Sequence, residues 1–367
     1  MRGKMKAIIW DGGDFPDSLR YGDFDIPEPG PGWVLVNNKV VGICGSDIHI
    51  LIGDTKYLVP KKNFPAVLGH ENAGAVVKTG EGVTSVKPGD RVAVEPIHGC
   101  IEFGGNCPMC RIGKYQLCQS GLTHVGMPLT RMLPGGYGEY SIVHESHLFH
   151  IPEGVTFEEA ALLDILAVNV HAVNIGQPKL GDSVAVIGCG IVGLDMIQCL
   201  KAVGITNIIA VAKYEFQAEI AKLLGAKETI ILNNGMDPIK EVMKITGGWG
   251  VDQVYECVGG NTDAVSQSIS ICCPGGKVIM LGGASKPRAI DLQGMLLKEI
   301  NLLSSNSYST FGTVREFQIA INMLQDGQVN HKCLVTHRFL HEDYLKAFET
   351  VMSKENTNVI KAVFVRE

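Results

Sequence analysis

Ser183-Val184-Ala185-Val186-Ile187-Gly188-Cys189-Gly190-Ile191-Val192-Gly193 is the stretch whose reading decides the fold. Its first five residues form a short apolar run, as expected of a parallel strand buried on both faces. The run feeds directly into a G-x-G-x-x-G motif, and residues 194–203 then read as a helix. Strand, glycine turn and helix together are the setting in which this motif holds a dinucleotide. Gly188 permits the tight turn, Gly190 lets a pyrophosphate approach the backbone, and Gly193 allows close helix–strand packing. The free N–H groups at the helix start, at Ile191 and Val192, face the phosphates.

The pattern continues outward. Residues 207–211 read as the next strand and 214–224 as the next helix, ended by Gly225. Further strands are expected over 229–232, 252–256 and 277–281, with helices between them. This alternation indicates an α/β fold with a doubly wound parallel sheet, a Rossmann domain. The tip of the second strand distinguishes NAD from NADP, because an acid there bonds the ribose 2′-OH and repels a 2′-phosphate. Here Ala212 is followed at once by Lys213, and a cation favours the phosphate. Glu215 stands close enough to contest that reading, so NADP is preferred and NAD is the alternative.

Towards the N-terminus the character is different. Residues 4–10, 33–41, 72–77 and 92–94 read as short strands, and the Pro/Gly/acid segment 25–32 cannot be helix. Many short strands with glycine turns imply a β-rich, barrel-like domain up to about residue 152. Beyond about residue 301 the alternation fades; 317–326 reads as a helix and 360–365 as an apolar strand. That tail is expected to return to the first domain. The expected division is therefore 1–164 with 301–367, and 165–300.

Composition narrows the function. A chain of 367 residues fits two domains, and a net charge of −6 without long like-charge runs argues against nucleic acid or an anionic membrane as partner. No signal peptide or spanning segment is visible, which places the protein in the cytoplasm. Its 11 cysteines are then metal ligands or buried thiols before they are disulfides.

Two groups of residues have the chemistry of metal sites. Val41-Gly42-Ile43-Cys44-Gly45-Ser46-Asp47-Ile48-His49 and Leu68-Gly69-His70-Glu71 offer thiolate, imidazole and carboxylate, a donor set suited to Zn²⁺. Taken singly, Cys44 reads first as a buried apolar residue and His70 as a turn cap, and the rest of the chain reverses that reading. Cys100, Cys107, Cys110 and Cys118, with the Cys107-Pro108-Met109-Cys110 pair, can close a tetrahedral structural zinc site. A redox CxxC is the rival, but such a pair opens a helix after a strand, whereas this one lies in a glycine-rich lobe. Cys189, Cys199, Cys257, Cys272, Cys273 and Cys333 read as thiols without a role.

These motifs, with Gly135-Gly136-Tyr137-Gly138-Glu139-Tyr140, resemble the zinc-dependent alcohol dehydrogenases of the medium-chain dehydrogenase/reductase superfamily, over almost the whole chain. Within it the chain looks closest to the polyol, threonine-type and bacterial secondary-alcohol branches. The resemblance implies a GroES-like β-rich catalytic domain beside the Rossmann domain, and an active site in the cleft between them. It implies that Cys44, His70 and Glu71 bind catalytic zinc with Asp164, with Glu71 and Asp164 as alternatives for the third ligand at a given stage. Asp47 would orient His70. Ser46 would take the substrate proton and pass it through the cofactor ribose to His49. Residues 101–104 are additional to the usual pattern and separate Cys100 from the other three lobe cysteines.

The expected activity is hydride transfer between a secondary alcohol or polyol and NAD(P), with a threonine-type amino-alcohol dehydrogenase as the alternative. A zinc-free quinone reductase is disfavoured by the joint presence of Cys44, His70, Glu71 and Asp164. A non-catalytic nicotinamide-binding sensor or structural protein is disfavoured by the Ser46/His49 pair. Tyr57, His124 and residues 304–309 are candidate pocket residues, and the resemblance implies a homodimer or homotetramer.

Overall fold

The computed structural model describes residues 3–55, 59–128, 130–232 and 235–366, so Tyr57 lies outside the described residues. The chain divides into two compact units. One comprises Met1–Asp164, Ser309–Gln325 and His331–Glu367; the other comprises Ile165–Tyr308 and Asp326–Asn330.

The first unit opens with β1 (Lys4–Trp10) paired antiparallel to β2 (Leu19–Asp25). The longest strand, β3 (Trp33–Gly42), buries Val34, Val36, Val40 and Val41 and runs into α1 (Gly45–Leu51). Then follow β4 (Glu71–Thr79), β5 (Arg91–Val94) and a small sheet of β6 (Ile97–His98), β7 (Thr123–Val125) and β8 (Arg131–Leu133), with α2 (Pro108–Arg111) between β6 and β7. β9 (Tyr140–His144), β10 (Leu148–His150) and α3 (Phe157–Ala161) complete this stretch. α3 starts where its sequence says it should: Thr156 accepts from the Glu159 N–H at 3.2 Å, and the Glu159 carboxylate accepts from the Thr156 N–H at 3.0 Å.

The second unit carries α4 (Leu163–Gly176), whose first turn belongs to the first unit, and then β11 (Ser183–Ile187), α5 (Ile191–Ala202), β12 (Asn207–Ala212), α6 (Glu215–Leu224) and β13 (Glu228–Ile231). α7 (Pro238–Ile245), β14 (Val251–Glu256), α8 (Ala264–Ile271), β15 (Cys272–Met280), α9 (Leu292–Lys298) and β16 (Asn301–Ser304) follow. All six strands are parallel, in the order β13-β12-β11-β14-β15-β16, so the order reverses between β11 and β14. Ala185, Ile187, Ile209, Val211, Val251, Val254 and Val278 form the core under this sheet. The structural boundary falls at Ser309 rather than at the expected 301, because β16 adds a sixth parallel strand. Its Leu302-Leu303 pair between Asn301 and Ser304 is too short to read as an apolar strand.

The returning segment supplies β17 (Thr310–Phe311), β18 (Val314–Arg315), α10 (Glu316–Gln325), β19 (Val335–Phe339), α11 (Tyr344–Met352), α12 (Lys354–Thr357) and β20 (Lys361–Val365). β20 joins the large sheet, whose order is β10-β5-β4-β3-β20-β19 with β9 also paired to β3. Phe348 and Phe364 are buried with Trp10, Leu51, Leu68 and Tyr137 in its main core. The end of β3 is held in register on both sides: Gly42 faces Glu71 on β4 and Val363 on β20. A Cβ at Gly42 would strike the Glu71 carboxylate and lie 2.8 Å from Lys361 Cε, so the absence of a side chain makes that space.

Candidate active site and metal centres

The end of β3 delivers Cys44 as the N-cap of α1, and the β3–β4 register brings His70 and Glu71 beside it. The ligand atoms of Cys44, His70 and Glu71 lie within 4.8 Å of one another. Asp47 is fully buried beneath them. Its Oδ2 accepts from the Cys44 N–H at 3.1 Å and the Tyr137 hydroxyl at 2.8 Å, and its Oδ1 lies 3.5 Å from His70 Nδ1. That leaves His70 Nε2 towards the cluster, with Ser46 Oγ at 3.4 Å. Burial pulls the His70 pKa down, but the negative charges of Asp47 and Cys44 more than offset this and hold it well above the ordinary imidazole value.

Glu71 is fully buried and ion-paired with Lys361, whose Nζ also donates to the Ile43 carbonyl at 2.9 Å. Glu71 Oε1 has no hydrogen-bond partner among the described residues. An orphaned carboxylate oxygen beside a thiol and an imidazole fits a divalent metal of zinc's character. His124 approaches from β7, its ring centroid 5.6 Å from that of His70. Burial, and then the charge of His70, push its pKa down to about 3, so it stands neutral next to the cluster. Asp164 lies on the first turn of α4 and is not one of the close-set trio. Ser46 and His49 occupy positions three apart on α1, and so share one face of it. His49 is exposed, with Nδ1 2.9 Å from Asp54 Oδ2.

The four lobe cysteines also come together, their sulfurs all within 4.8 Å, and Cys100 stands with the other three in spite of residues 101–104. Backbone N–H groups point at the sulfurs: Cys110 N to Cys107 Sγ at 3.4 Å, Cys107 N to Cys100 Sγ at 3.4 Å, and Cys100 N to Cys110 Sγ at 3.5 Å. The Cys110 N–H, and next that of Gln119, lower the Cys107 pKa to about 6, which favours the thiolate that a metal needs. The extra turn is fastened to the body of the unit. Glu102 bonds His147 Nε2 at 3.0 Å, and Phe103 lies against Trp33 at 5.3 Å between centroids. His147 Nδ1 lies 2.8 Å from Glu95, which is fully buried, also receives the Tyr115 hydroxyl at 2.5 Å, and is ion-paired with Arg315.

At the carboxyl edge of the parallel sheet, Gly188 adopts φ +95°, and a Cβ on Gly193 would overlap the Gly188 carbonyl. Gly190 caps α5 and has open space where a side chain would stand. That is a backbone cradle of the kind that fits a pyrophosphate at a helix N-terminus. Ala212 ends β12. Lys213 follows it, exposed, with its Nζ 5.1 Å from the Tyr214 ring centroid.

Residues 30–153 match the alcohol dehydrogenase GroES-like domain and residues 192–326 the zinc-binding dehydrogenase domain. Human sorbitol dehydrogenase is 33% identical, over 91% of this chain and 90% of the relative. The chain belongs to the zinc-dependent alcohol and polyol dehydrogenases. L-threonine 3-dehydrogenase of Bacillus velezensis is 31% identical over 98% of this chain and 99% of its own. Two solved structures extend the likeness to three dimensions. The short chain alcohol dehydrogenase rspB of Escherichia coli CFT073, complexed with NADH, superposes with a TM-score of 0.85 at 28% identity, covering 99% of each chain. A zinc-binding dehydrogenase of Sinorhizobium meliloti 1021 bound to NADP does so at 0.84 and 26%, covering 100% of each chain. The family confirms the fold class read from the sequence, and with it zinc and a nicotinamide nucleotide as cofactors.

Lys361 escaped the sequence reading, although the lone cation in Ile360-Lys361-Ala362-Val363 was its signal. The Glu95–Arg315 pair left no local signal at all, because its halves are joined only by the returning segment.

Proposed function

We propose that the protein oxidises a secondary alcohol or polyol, or reduces the matching ketone, at the Cys44/His70/Glu71 cluster. The convergence of those three ligand atoms with Ser46 Oγ and the His124 ring is the observation that carries this reading. Bound zinc supplies a Lewis acid that makes an alcohol acidic near neutral pH, and the nicotinamide ring carries the hydride. The chain's own residues do the remainder. Cys44, His70 and Glu71 hold the metal, with Asp164 as an alternative to Glu71 at some stage of the cycle. Asp47 fixes the His70 ring from its far side. Ser46 Oγ receives the substrate proton, and His49, on the same face of α1 and exposed, exchanges it with water. The four lobe cysteines hold a second, structural zinc.

The cofactor is NADP in preference to NAD. The exposed Lys213 at the tip of β12, with no acid at that tip, supports this. Residues 188, 190–193, 212 and 213 hold it. The substrate is a small molecule, and the reaction is cytoplasmic, in keeping with cysteines none of which is joined in a disulfide among the described residues. No helix of the described residues is long and apolar enough to cross a membrane. The protein self-associates as a dimer or tetramer. In support, β16 ends its sheet, and Leu292, Leu296 and Leu297 on the preceding helix are 67%, 70% and 75% exposed.

The test is a substrate panel. Zinc-replete protein is mixed with NAD⁺ or NADP⁺ and with secondary alcohols, linear and cyclic polyols, and threonine, and cofactor reduction is followed. Turnover with NADP⁺ and an alcohol or polyol is expected. Turnover with threonine alone would make it an amino-alcohol enzyme. Tight cofactor binding with no turnover would favour a nicotinamide sensor.

A further inference from the structure

Glu256 ends β14, next to the point where the strand order reverses, and its side chain is fully buried. A buried carboxylate needs a reason, since burial penalises its charge. Its Oε1 accepts two successive backbone N–H groups, Val258 at 2.7 Å and Gly259 at 2.9 Å. Its Oε2 has no hydrogen-bond partner among the described residues. The backbone of Glu256 clamps the neighbouring turn as well: its carbonyl accepts from Leu281 at 2.9 Å and Gly282 at 3.2 Å. Gly260 in turn donates to the Gly283 carbonyl at 2.7 Å. Two turns, at residues 257–260 and 281–283, are thereby locked to each other around one carboxylate.

The packing leaves little freedom. A Cβ on Gly282 would overlap the Gly259 nitrogen and lie 2.7 Å from Glu256 Oε2. On the other side the first turn touches the phosphate motif: a Cβ on Gly188 would lie 2.6 Å from Val258 Cγ2, and Cys257 N bonds the Ile187 carbonyl at 2.9 Å. The clamped turns therefore form the wall of the crevice at the carboxyl ends of β11, β14 and β15. In a sheet built of two mononucleotide-binding halves, β11–β13 take the adenosine half of a dinucleotide and β14–β16 the other half.

We propose that Glu256 is a positioning residue for the nicotinamide half of the cofactor, acting through the two turns it clamps. This rests on the reading of residues 188–193 and 212–213 as the dinucleotide site. The carboxylate sets the Val258–Gly259 backbone, and that backbone sets the surface on which the nicotinamide end is seated. The adenosine half, held by the glycine motif and the tip of β12, does not depend on it.

The experiment compares Glu256→Gln with the wild type by calorimetric titration of NADH and NADPH against AMP and adenosine 2′,5′-bisphosphate, which carry only the adenosine half. The variant is expected to weaken the nicotinamide-bearing ligands about tenfold or more, and the truncated ligands less than about twofold. A Glu256 that served only the fold would lower the melting temperature and weaken both classes equally, and equal weakening, or none, overturns the proposal. Failure of the wild type to bind either truncated ligand would overturn the site reading itself, and this proposal with it. Should the variant not fold, amide exchange on the wild type decides. NADH must protect residues 257–260 and 281–283 more than AMP does; equal protection is the contrary result.

Discussion

Replacing Lys361 by Met is a direct test of how the buried Glu71 carboxylate is held. The Lys361 and Glu71 side chains are 2% and 0% exposed, so the pair has almost no help from water. Methionine keeps much of the volume and so adds little cavity cost. It removes the only cation that the structure pairs with Glu71 among the described residues, and the donor to the Ile43 carbonyl. Leaving one member of a buried pair uncompensated costs about 3–5 kcal/mol. For a domain of 150–250 residues, 1 kcal/mol moves the melting temperature by about 2–4 °C, so the zinc-free variant should melt about 6–20 °C below zinc-free wild type. The assay is scanning calorimetry on chelator-treated protein. Adding zinc should narrow the gap if Glu71 ligates the metal, and leave it wide if Asp164 does so instead. A Lys361→Met/Glu71→Gln double variant should recover part of the loss, because no charge is then stranded. A zinc-free Lys361→Met melting within about 2 °C of wild type, or a double variant no better than the single, would refute the reasoning.

Three further expectations are simpler. His70→Ala or Cys44→Ala should lose one zinc per chain and all turnover while far-ultraviolet circular dichroism keeps the wild-type shape; an active variant lacking that zinc would remove the cluster from the mechanism. Cys110→Ser should lose the other zinc and lower the melting temperature, yet keep measurable turnover in the cold, since the two clusters share no ligand; unchanged metal content would contradict the lobe site. Lys213→Asp should raise the Michaelis constant for NADP⁺ by about tenfold or more relative to that for NAD⁺, the worth of one charge-assisted contact with a phosphate turned repulsive; an unchanged ratio would show that Lys213 is only a solvated side chain.

What could be read from the sequence was what is local. Residues 183–193 hold strand, turn and helix start in one stretch, and the structure places β11, Gly190 and α5 there. The four cysteines are close enough in sequence for their clustering to be expected from spacing, and the structure brings their sulfurs within 4.8 Å of one another. Cys44 and His70 sit farther apart, and each alone reads as an ordinary buried residue; the donor set they form with Glu71 joined them, and the Gly42–Glu71 register is the physical reason they meet. The part of the chain beyond residue 300 was the least legible, although its helix over 317–326 and strand over 360–365 were expected. β16 and β19 are short and β19 alternates only weakly, so neither shows a clear apolar run. Lys361 and Glu71 are neighbours only because β20 pairs with β3, a contact between opposite ends of the chain that no window of sequence contains. The extra turn at 101–104 obscured Cys100, until the Glu102–His147 and Phe103–Trp33 contacts gave that turn a fixed place.

The most direct test of the central claim is to count zinc against turnover. Protein is stripped stepwise with chelator, metal per chain is measured by mass spectrometry, and cofactor reduction with the best alcohol of the panel is followed at each step. Two zinc ions per chain are expected, one for each cluster. Turnover should fall in proportion to occupancy of the Cys44/His70/Glu71 site and return when zinc is added back. Full turnover from a chain whose Cys44 cluster is empty would contradict the account.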